Sequence, residues 1–157
     1  MRGRLDRARA DELLAFWAQR RALDTAQAHQ RLPEVVCILR RNGAVAGASS
    51  VYAAALPLIG GRRFWIYRSL LDTEVSNLGT AMIAATFAAL DAEFDGSSRS
   101  PIGLCLLLAD PRERRRRSEA EWEEPPMIYA GYLADGRQVR IGYFRDALIT
   151  QETRARS

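Results

Sequence analysis

Two apolar runs joined by Asn42-Gly43 constrain the fold of this chain more than any other feature. They lie in the stretch 34–56, which reads EVVCILRRNGAVAGASSVYAAAL. Asn-Gly is the strongest short signal for a β-hairpin, because both central positions of a type I′ turn need positive φ. A further apolar run, GGRRFWIYRSLL at 60–71, follows closely. The pattern therefore predicts an antiparallel meander in the middle of the chain.

The segment before the meander is predicted to be mostly helical. Apolar residues recur near helical spacing in ADELLAFWAQRRAL at 10–23, which predicts a first helix. DTAQAHQRL at 24–32 predicts a second, shorter helix with Asp24 as its N-cap and Pro33 at its end. Residues 4–10, RLDRARA, are predicted as a short edge strand.

The region after the meander begins with the longest predicted helix, NLGTAMIAATFAALDAEF at 77–94, whose apolar side chains fall on one face. PIGLCLLLA at 101–109 is a continuous apolar run, which is typical of a strand buried on both faces. Residues 110–124 predict a charged helix that ends before Pro125-Pro126. A second hairpin is predicted around Asp135-Gly136.

The composition is that of a globular chain. The 157 residues are 48% hydrophobic, which is enough to build a core. We predict a single domain at 1–150 and a disordered tail at 151–157. No run of about 18 apolar residues is present, so neither a membrane span nor a membrane partner is expected. The N-terminal segment lacks the apolar stretch of a secretory signal.

The two cysteines, Cys37 and Cys105, both lie inside apolar runs. This placement predicts buried free thiols. Neither a metal site nor a disulfide framework is expected from two such residues, so a reducing cytoplasm is the expected location. The net charge is +4 and every basic residue is arginine, a bias typical of a high-GC, bacterial genome.

The order of predicted elements is β, α, α, β, β, β, α, β, α, β, β. Over residues 2–146, this order resembles the GNAT (Gcn5-related N-acetyltransferase) fold, and RLDRARADELLAFW is similar to the first strand and helix of many members. The resemblance implies an α/β (α+β) fold with a mixed, mostly antiparallel sheet of about seven strands and about four helices. It also implies acyl transfer from acetyl-CoA or another acyl-CoA to an amine acceptor, either a small molecule or a peptide. In the family, the pantetheine arm enters where the sheet splays, here between 64–71 and 102–109.

The family carries a Q/R-x-x-G-x-G/A loop at the start of the long helix, and Gly79 matches its final position. Glu74 stands where the family prefers a cation or an amide, and Asn77 stands where it prefers glycine. Asn adopts positive φ more readily than most residues, which would preserve the turn. Glu74 would repel a pyrophosphate if it pointed inward and stabilise the helix start if it pointed outward.

The resemblance implies that acyl-CoA is held mainly by backbone groups at the end of the fourth strand and the start of the long helix. A helix N-terminus offers N–H groups and a partial positive charge that suit a phosphate. The implied residues are Leu70, Leu71, Asn77, Leu78, Gly79 and Thr80.

The alternative is that this stretch is only a helix cap, because Asp72, Thr73, Ser76 and Asn77 are all good N-cap residues. The chain would then be a non-catalytic GNAT-like binding or interaction module. Its surface would be the Arg112–Arg117 helix or the C-terminal hairpin. Both interpretations stay open on the sequence.

No catalytic residue is assigned. Many family members use a tyrosine in the helix after the fifth strand as a general acid, and PRERRRRSEAEW has none. Tyr67 and Glu74 could act near the fourth strand. Tyr129 and Tyr132 are expected to pack within the last hairpin. His29, the single histidine, is interpreted as a surface or packing residue, with a minor substrate role left open.

The run Arg112–Arg117 is interpreted first as a solvated helical face. Arginine early and glutamate late in a helix oppose its dipole, which indicates another use for these charges. The 3′-phosphate of CoA, an acidic partner and a nucleic-acid backbone are the options. A nucleic-acid partner is not expected, because no basic stripe runs across several elements. An exposed aromatic face on the C-terminal hairpin would favour a homodimer.

Overall fold

The structure of the chain is a computed structural model, which describes residues 5–116 and 121–147. Four helices and seven strands are found in these ranges. Short 3₁₀ segments lie at Leu32–Glu34, Pro57–Ile59 and Thr73–Leu78. The helices and strands are, in chain order, α1 (Arg7–Gln19), α2 (Thr25–Arg31), β1 (Val35–Arg41), β2 (Ala44–Leu56), β3 (Arg62–Leu71), α3 (Gly79–Glu93), β4 (Gly103–Leu108), α4 (Pro111–Arg116), β5 (Glu121–Trp122), β6 (Met127–Tyr132) and β7 (Gln138–Tyr143).

The strands form one mixed sheet in the order β1-β2-β3-β4-β7-β6-β5. The pairs β1–β2, β4–β7, β5–β6 and β6–β7 are antiparallel, while β3 and β4 run parallel. β5 has only two residues. The prediction of a mostly antiparallel sheet with four helices is therefore confirmed. β3 and β4 pair at Trp65–Leu104 and Ile66–Cys105, and the splaying of these two strands stays a prediction.

Both predicted hairpins form at the expected turns. Asn42 and Gly43 have φ values of 51° and 80°, the left-handed region that a type I′ turn requires. Arg41 pairs with Ala44 across this turn. The second hairpin joins β6 to β7, and Gly136 has a φ of 84°. The local turn chemistry was thus sufficient to place both hairpins.

The predicted strand at 4–10 is wrong over the residues that the structure describes. Helix α1 begins at Arg7, because the Asp6 side chain accepts a hydrogen bond from the Arg9 amide at 2.8 Å. Ala and Arg are also strong helix formers. Arg4 lies outside the described residues.

The second helix begins at Asp24 as predicted, with a complete capping box, and it ends at Arg31, where the 3₁₀ segment that contains Pro33 follows. The Asp24 side chain accepts from the Gln27 amide at 2.8 Å, and the Gln27 side chain accepts from the Asp24 amide at 3.2 Å. The reciprocal pair satisfies two backbone donors at the start of α2.

The charged helix predicted at 110–124 is wrong in its second half. α4 ends at Arg116, residues 117–120 lie outside the described residues, and Glu121–Trp122 forms β5. β5 pairs with β6 through Glu121–Ile128 and Trp122–Met127. Sheet pairing with the following strand therefore overrides the helical charge pattern at this point.

The chain divides into two compact units, each with its own core. The first unit is Met1–Val51 with Arg68–Thr86, and the second is Tyr52–Tyr67 with Phe87–Ser157. The prediction of a single domain at 1–150 stays a prediction, and the tail at 151–157 lies outside the described residues. The buried core of the first unit includes Leu13, Phe16, Trp17, Ala28, Val35 and Ala48, and that of the second includes Leu56, Phe64, Ile66, Cys105, Val139 and Ile141.

Both cysteines are free thiols, as predicted. Cys105 is buried in the second core, and this burial raises the pKa of its thiol to about 12. A thiol with this pKa stays protonated and unreactive at neutral pH. Cys37 is half-buried in β1.

The stretch Thr73–Glu93 is long and apolar enough to cross a membrane, with a mean hydropathy of 1.2 over its best window. One such helix is weak evidence, because the core helices of globular proteins meet the same criteria. Its residues Met82, Ile83, Phe87 and Leu90 are buried. The expectation that the chain has no membrane partner stays a prediction.

Candidate functional site

The turn between β3 and α3 is helical from Thr73 onward. Asp72 is extended, with φ −59° and ψ 149°, and its carbonyl accepts from the Val75 amide at 3.0 Å. Val75 then interrupts the 3₁₀ helix with φ −120° and ψ 15°. A second helical start therefore follows Val75 and runs into α3. The first turn of a helix carries amide N–H groups that lack partners within the helix, which is the basis of anion binding there.

The two motif positions in this turn have helical backbones. Gly79 has φ −56° and ψ −45°, so its place does not depend on the left-handed freedom of glycine. Asn77 lies inside the 3₁₀ helix, and only Arg21 and Asn42 have positive φ among the described residues other than glycine. The expectation that Asn77 preserves the turn through positive φ is wrong, because the helix extends back over it.

The remaining residues predicted to bind acyl-CoA lie on either side of this turn. Leu70 and Leu71 are half-buried at the end of β3, Leu78 is half-buried, and Thr80 is exposed. The Asp72 amide donates to the Ala46 carbonyl at 2.8 Å, which holds the end of β3 against β2. The first unit thus brings all six predicted residues to one strand-to-helix junction.

The Glu74 carboxylate forms an ion pair with Arg41, which ends β1 beside the Asn42-Gly43 turn. The Glu74 side chain is 75% exposed. It therefore extends to the neighbouring hairpin, in the outward orientation that stabilises the helix start.

Asp72 is held in a similar way by Arg20, at the end of α1. The guanidinium donates to both carboxylate oxygens, through Nε and Nη2. It also stacks on the Phe16 ring, with Cζ 4.3 Å from the ring centroid. Bidentate pairing and stacking both use the planar shape of arginine. The two carboxylates that flank the turn are thus neutralised by cations from two other elements.

A cleft of about 630 Å³ opens beside the turn, wholly within the first unit. A third ion pair, Arg40 with Glu12, lies near it. The cleft is lined by Glu12, Phe16, Gln19, Arg20, Arg41, Asn42, Gly43, Ala44, Val45, Ala46, Asp72 and Glu74. Because its carboxylates are paired, the turn does not present a net negative charge to an incoming anion. The donors at the turn, namely first-turn amides with the exposed Ser76 and Asn77, fit a phosphate group.

The other residues considered for chemistry lie apart from the turn. His29 is exposed on α2, and Tyr67 is half-buried on β3. Tyr129 and Tyr132 were expected to pack, but both are exposed on β6, with ring centroids 5.7 Å apart. Among residues 5–116 and 121–147, no group of three His, Cys, Asp or Glu residues is placed to hold a metal ion.

The arginine run is helical through Arg116, and Arg117 lies outside the described residues. The Asp110 side chain accepts from the Arg112 amide at 2.8 Å, so an acidic residue precedes the helix and caps it. α4, as described, contains no tyrosine.

Sequence reasoning missed Arg20 and Arg41, the two cations beside the turn. Arg20 lies 52 positions from Asp72, and Arg41 lies 33 positions from Glu74. No local pattern marks such pairs. The hairpin prediction placed Arg41 next to a turn. Only the packing of the first unit brings Glu74 close to that turn.

No protein-family model matches the chain, and no curated protein matches its sequence. The chain is similar to a solved structure, that of the acetyltransferase of GNAT family from Streptococcus pneumoniae. The TM-score is 0.51 and the sequence identity is 14%. The likeness covers 86% of this chain and 93% of that one. The chain therefore has a GNAT-like fold, as the order of its elements predicted.

Proposed function

We propose that this protein is an acyltransferase that moves an acetyl or other acyl group from acyl-CoA to an amine acceptor, a small molecule or a peptide. The likeness to an acetyltransferase structure over 86% of the chain carries the proposal. The free thiols Cys37 and Cys105 agree with a protein of a reducing cytoplasm.

The turn at Asp72–Leu78 supports this function through its electrostatics. A pyrophosphate needs donors that approach closely and no unpaired negative charge. The kink at Val75 supplies a second helix start, and Arg20 and Arg41 compensate the two carboxylates. Acyl-CoA would be held chiefly by backbone groups of Leu70, Leu71 and residues 77–80.

The chemistry requires little from side chains. The amine nitrogen attacks the thioester carbonyl, an N–C bond forms, and the C–S bond breaks. The amine gives up a proton, and the departing thiolate gains one, which water can relay. The described part of α4 offers no tyrosine as general acid, so positioning and a deprotonated amine carry more of the rate here.

The test is isothermal titration with acetyl-CoA and longer acyl-CoAs on two matched variants. Gly79→Trp places an indole at the start of α3, whereas Ala85→Trp adds the same indole at an exposed position of the same helix. The proposal predicts micromolar binding to wild type and Ala85→Trp that is lost in Gly79→Trp. Equal binding by both variants would place the ligand elsewhere, and no binding of any acyl-CoA to wild type would end the proposal.

A second candidate function is a non-catalytic interaction module. It is favoured by the helical backbone of Asn77 and Gly79 and by the exposed apolar side chains of Ile128, Tyr129 and Tyr132 on β6. Exposed aromatic side chains on one hairpin suit a protein surface, including a second copy of this chain. Under this function acyl-CoA does not bind, and Tyr129→Ser with Tyr132→Ser abolishes self-association measured by analytical ultracentrifugation.

A further inference from the structure

A second cavity, broadly open to solvent and with a volume of about 420 Å³, lies in the second unit, between α4 and the β6–β7 hairpin. It is lined by Pro111, Arg114, Arg115, Tyr132 and Gln138. The residues that line it thus carry two guanidiniums, one phenol and one amide, and no carboxylate is among the lining residues in the described part of the chain. A concave site with this donor set differs in kind from the ion-paired cleft of the first unit.

Arg114 is anchored to the hairpin, and one of its donors has no partner among the described residues. Its Nη1 donates to the Gly136 carbonyl at 3.3 Å, which ties α4 to the turn of the hairpin. Its Nε is buried and has no hydrogen-bond partner among the described residues. A guanidinium has five N–H donors, and a buried donor without an acceptor is costly. Arg115, next in the helix, is exposed.

Gln138 lines the cavity, and Arg140 sets the orientation of its side-chain amide. It is only 7% exposed, and its Oε1 accepts from Nε of Arg140 at 3.3 Å. Because arginine only donates, the amide oxygen must face Arg140, which leaves the NH₂ end for the cavity. Arg140 is 1% exposed and stacks on Trp122, with Cζ 4.6 Å from the ring centroid. A buried cation thus contacts Gln138, one of the residues that line the cavity.

Two acidic residues that adjoin this region, Asp110 and Asp135, are engaged elsewhere. Asp110 caps the Arg112 amide, and Asp135 binds the Arg137 side chain, with a distance of 2.7 Å between Oδ2 and Nη2. Neither carboxylate lines the cavity. Among the described residues that line the cavity, the charged groups are therefore all positive.

We propose that this cavity binds a phosphate monoester. Two guanidiniums, a phenolic O–H and an amide NH₂ approach from three elements, which suits the three outer oxygens of a tetrahedral dianion better than the two oxygens of a flat carboxylate. The cavity exceeds the size of a phosphate, so it has room for the organic group that carries it. This proposal does not depend on acyl-CoA binding at the turn. The monoester comes either from a phosphorylated small molecule or from the 3′-phosphate of acyl-CoA.

The experiment is isothermal titration with phosphoethanolamine and inorganic phosphate, in a buffer free of other multivalent anions. Arg115→Gln removes a cation that lines the cavity, and Arg112→Gln removes an exposed cation from the same helix that does not. Both variants lose the same net charge. Since both side chains are exposed, both variants should fold. Gln138→Leu removes the amide donor as an additional test.

Phosphoethanolamine is expected to bind wild type and Arg112→Gln alike, and to lose about ten-fold or more in affinity with Arg115→Gln. Equal affinities for Arg115→Gln and Arg112→Gln, or no binding to wild type, would overturn the proposal. Succinate that binds as tightly as phosphoethanolamine would also overturn it, in favour of a carboxylate site. Single-stranded oligothymidylate that binds more tightly, with the same dependence on Arg115, would overturn it in favour of a nucleic-acid backbone.

Two further titrations identify the source of the phosphate. Acetyl-CoA and 3′-dephospho-acetyl-CoA are compared on wild type and Arg115→Gln. If the variant weakens only the 3′-phosphorylated form, the proposal holds with acyl-CoA as the source. If the variant changes neither form while phosphoethanolamine binding is lost, it holds with a separate phosphorylated molecule as the source.

Discussion

The two arginine-rich regions of the molecule use their charges in opposite ways. In the first unit, Arg20 and Arg41 each contact a carboxylate that lies far away in the sequence, so the cleft beside the turn holds cations and anions in pairs. In the second unit, Arg114 and Arg115 line a cavity that has no carboxylate among its described lining residues. The first arrangement joins elements to each other, and the second leaves positive charge for a ligand.

The comparison shows that the number of arginines says little about their role. The run Arg112–Arg117 is conspicuous in the sequence, while Arg20 and Arg41 are single residues among many. Structural context separates them, because a cation paired with a carboxylate and a cation that lines a cavity with no carboxylate among its described lining residues produce different potentials at the same composition.

The largest effect is expected from two glycines that lie on strands of the sheet, Gly47 in the first unit and Gly103 in the second. A Cβ at Gly103 would lie 2.1 Å from the Gly142 carbonyl oxygen, which belongs to backbone. A Cβ at Gly47 would lie 2.4 Å from Leu71 Cδ2, the flexible end of a side chain. We expect Gly103→Ala to cost about 3 kcal/mol of unfolding free energy and Gly47→Ala about 1 kcal/mol, because only Leu71 can move aside.

Urea unfolding followed by tryptophan fluorescence measures both variants. A larger loss for Gly47→Ala than for Gly103→Ala would show that the β2–β3 junction is the more rigid of the two sites. Gly47→Ala also displaces Leu71, so it should weaken acetyl-CoA binding while the phosphoethanolamine affinity stays unchanged.

An intermediate effect is expected for Asp72→Asn. The Asp72 and Arg20 side chains are only 26% and 32% exposed, so the substitution leaves a half-buried guanidinium without its carboxylate. The expected loss is about 1–2 kcal/mol, between the values for exposed and buried pairs. Arg115→Gln, in the other region, should change stability by less than about 0.5 kcal/mol. Equal losses of unfolding free energy in Asp72→Asn and Arg115→Gln would mean that the arginines of both regions stabilise the fold.

The smallest effect on stability is expected for Glu74→Gln. The pair is largely exposed, at 75% for Glu74 and 49% for Arg41, so the loss should stay below about 0.5 kcal/mol. The substitution also removes a negative charge beside the turn and releases Arg41. We therefore expect acetyl-CoA affinity to rise about two- to five-fold, measured by titration at low salt. A weaker affinity would show that Glu74 itself contacts the ligand.

The fold was predictable where local chemistry decides the structure. The Asn42-Gly43 and Asp135-Gly136 turns, the Asp24 cap and the apolar run that became β4 each carry their own signal, and the elements that they mark are all present in the structure. The predicted strand at 4–10 failed because the Asp6 cap was overlooked. The predicted helix at 110–124 failed at Glu121 and Trp122, which pair with β6.

The candidate site was predictable only in part. The junction of β3 with α3 follows from the order of elements, and it brings Leu70 and Gly79 to the same turn. The ion pairs that decide its charge depend on tertiary contacts across 52 and 33 positions. The same holds for Gln138, whose amide is oriented by a buried arginine on its own strand.

Binding at the turn is the central claim, and an amide ¹H–¹⁵N NMR titration with acetyl-CoA tests it most directly. Each backbone N–H reports on its own environment, so the turn is observed without any substitution. We predict that the amide signals of Ser76, Asn77, Leu78 and Gly79 shift saturably at micromolar concentrations. Unchanged signals at these four residues, at acetyl-CoA concentrations that saturate any other part of the chain, would contradict the account.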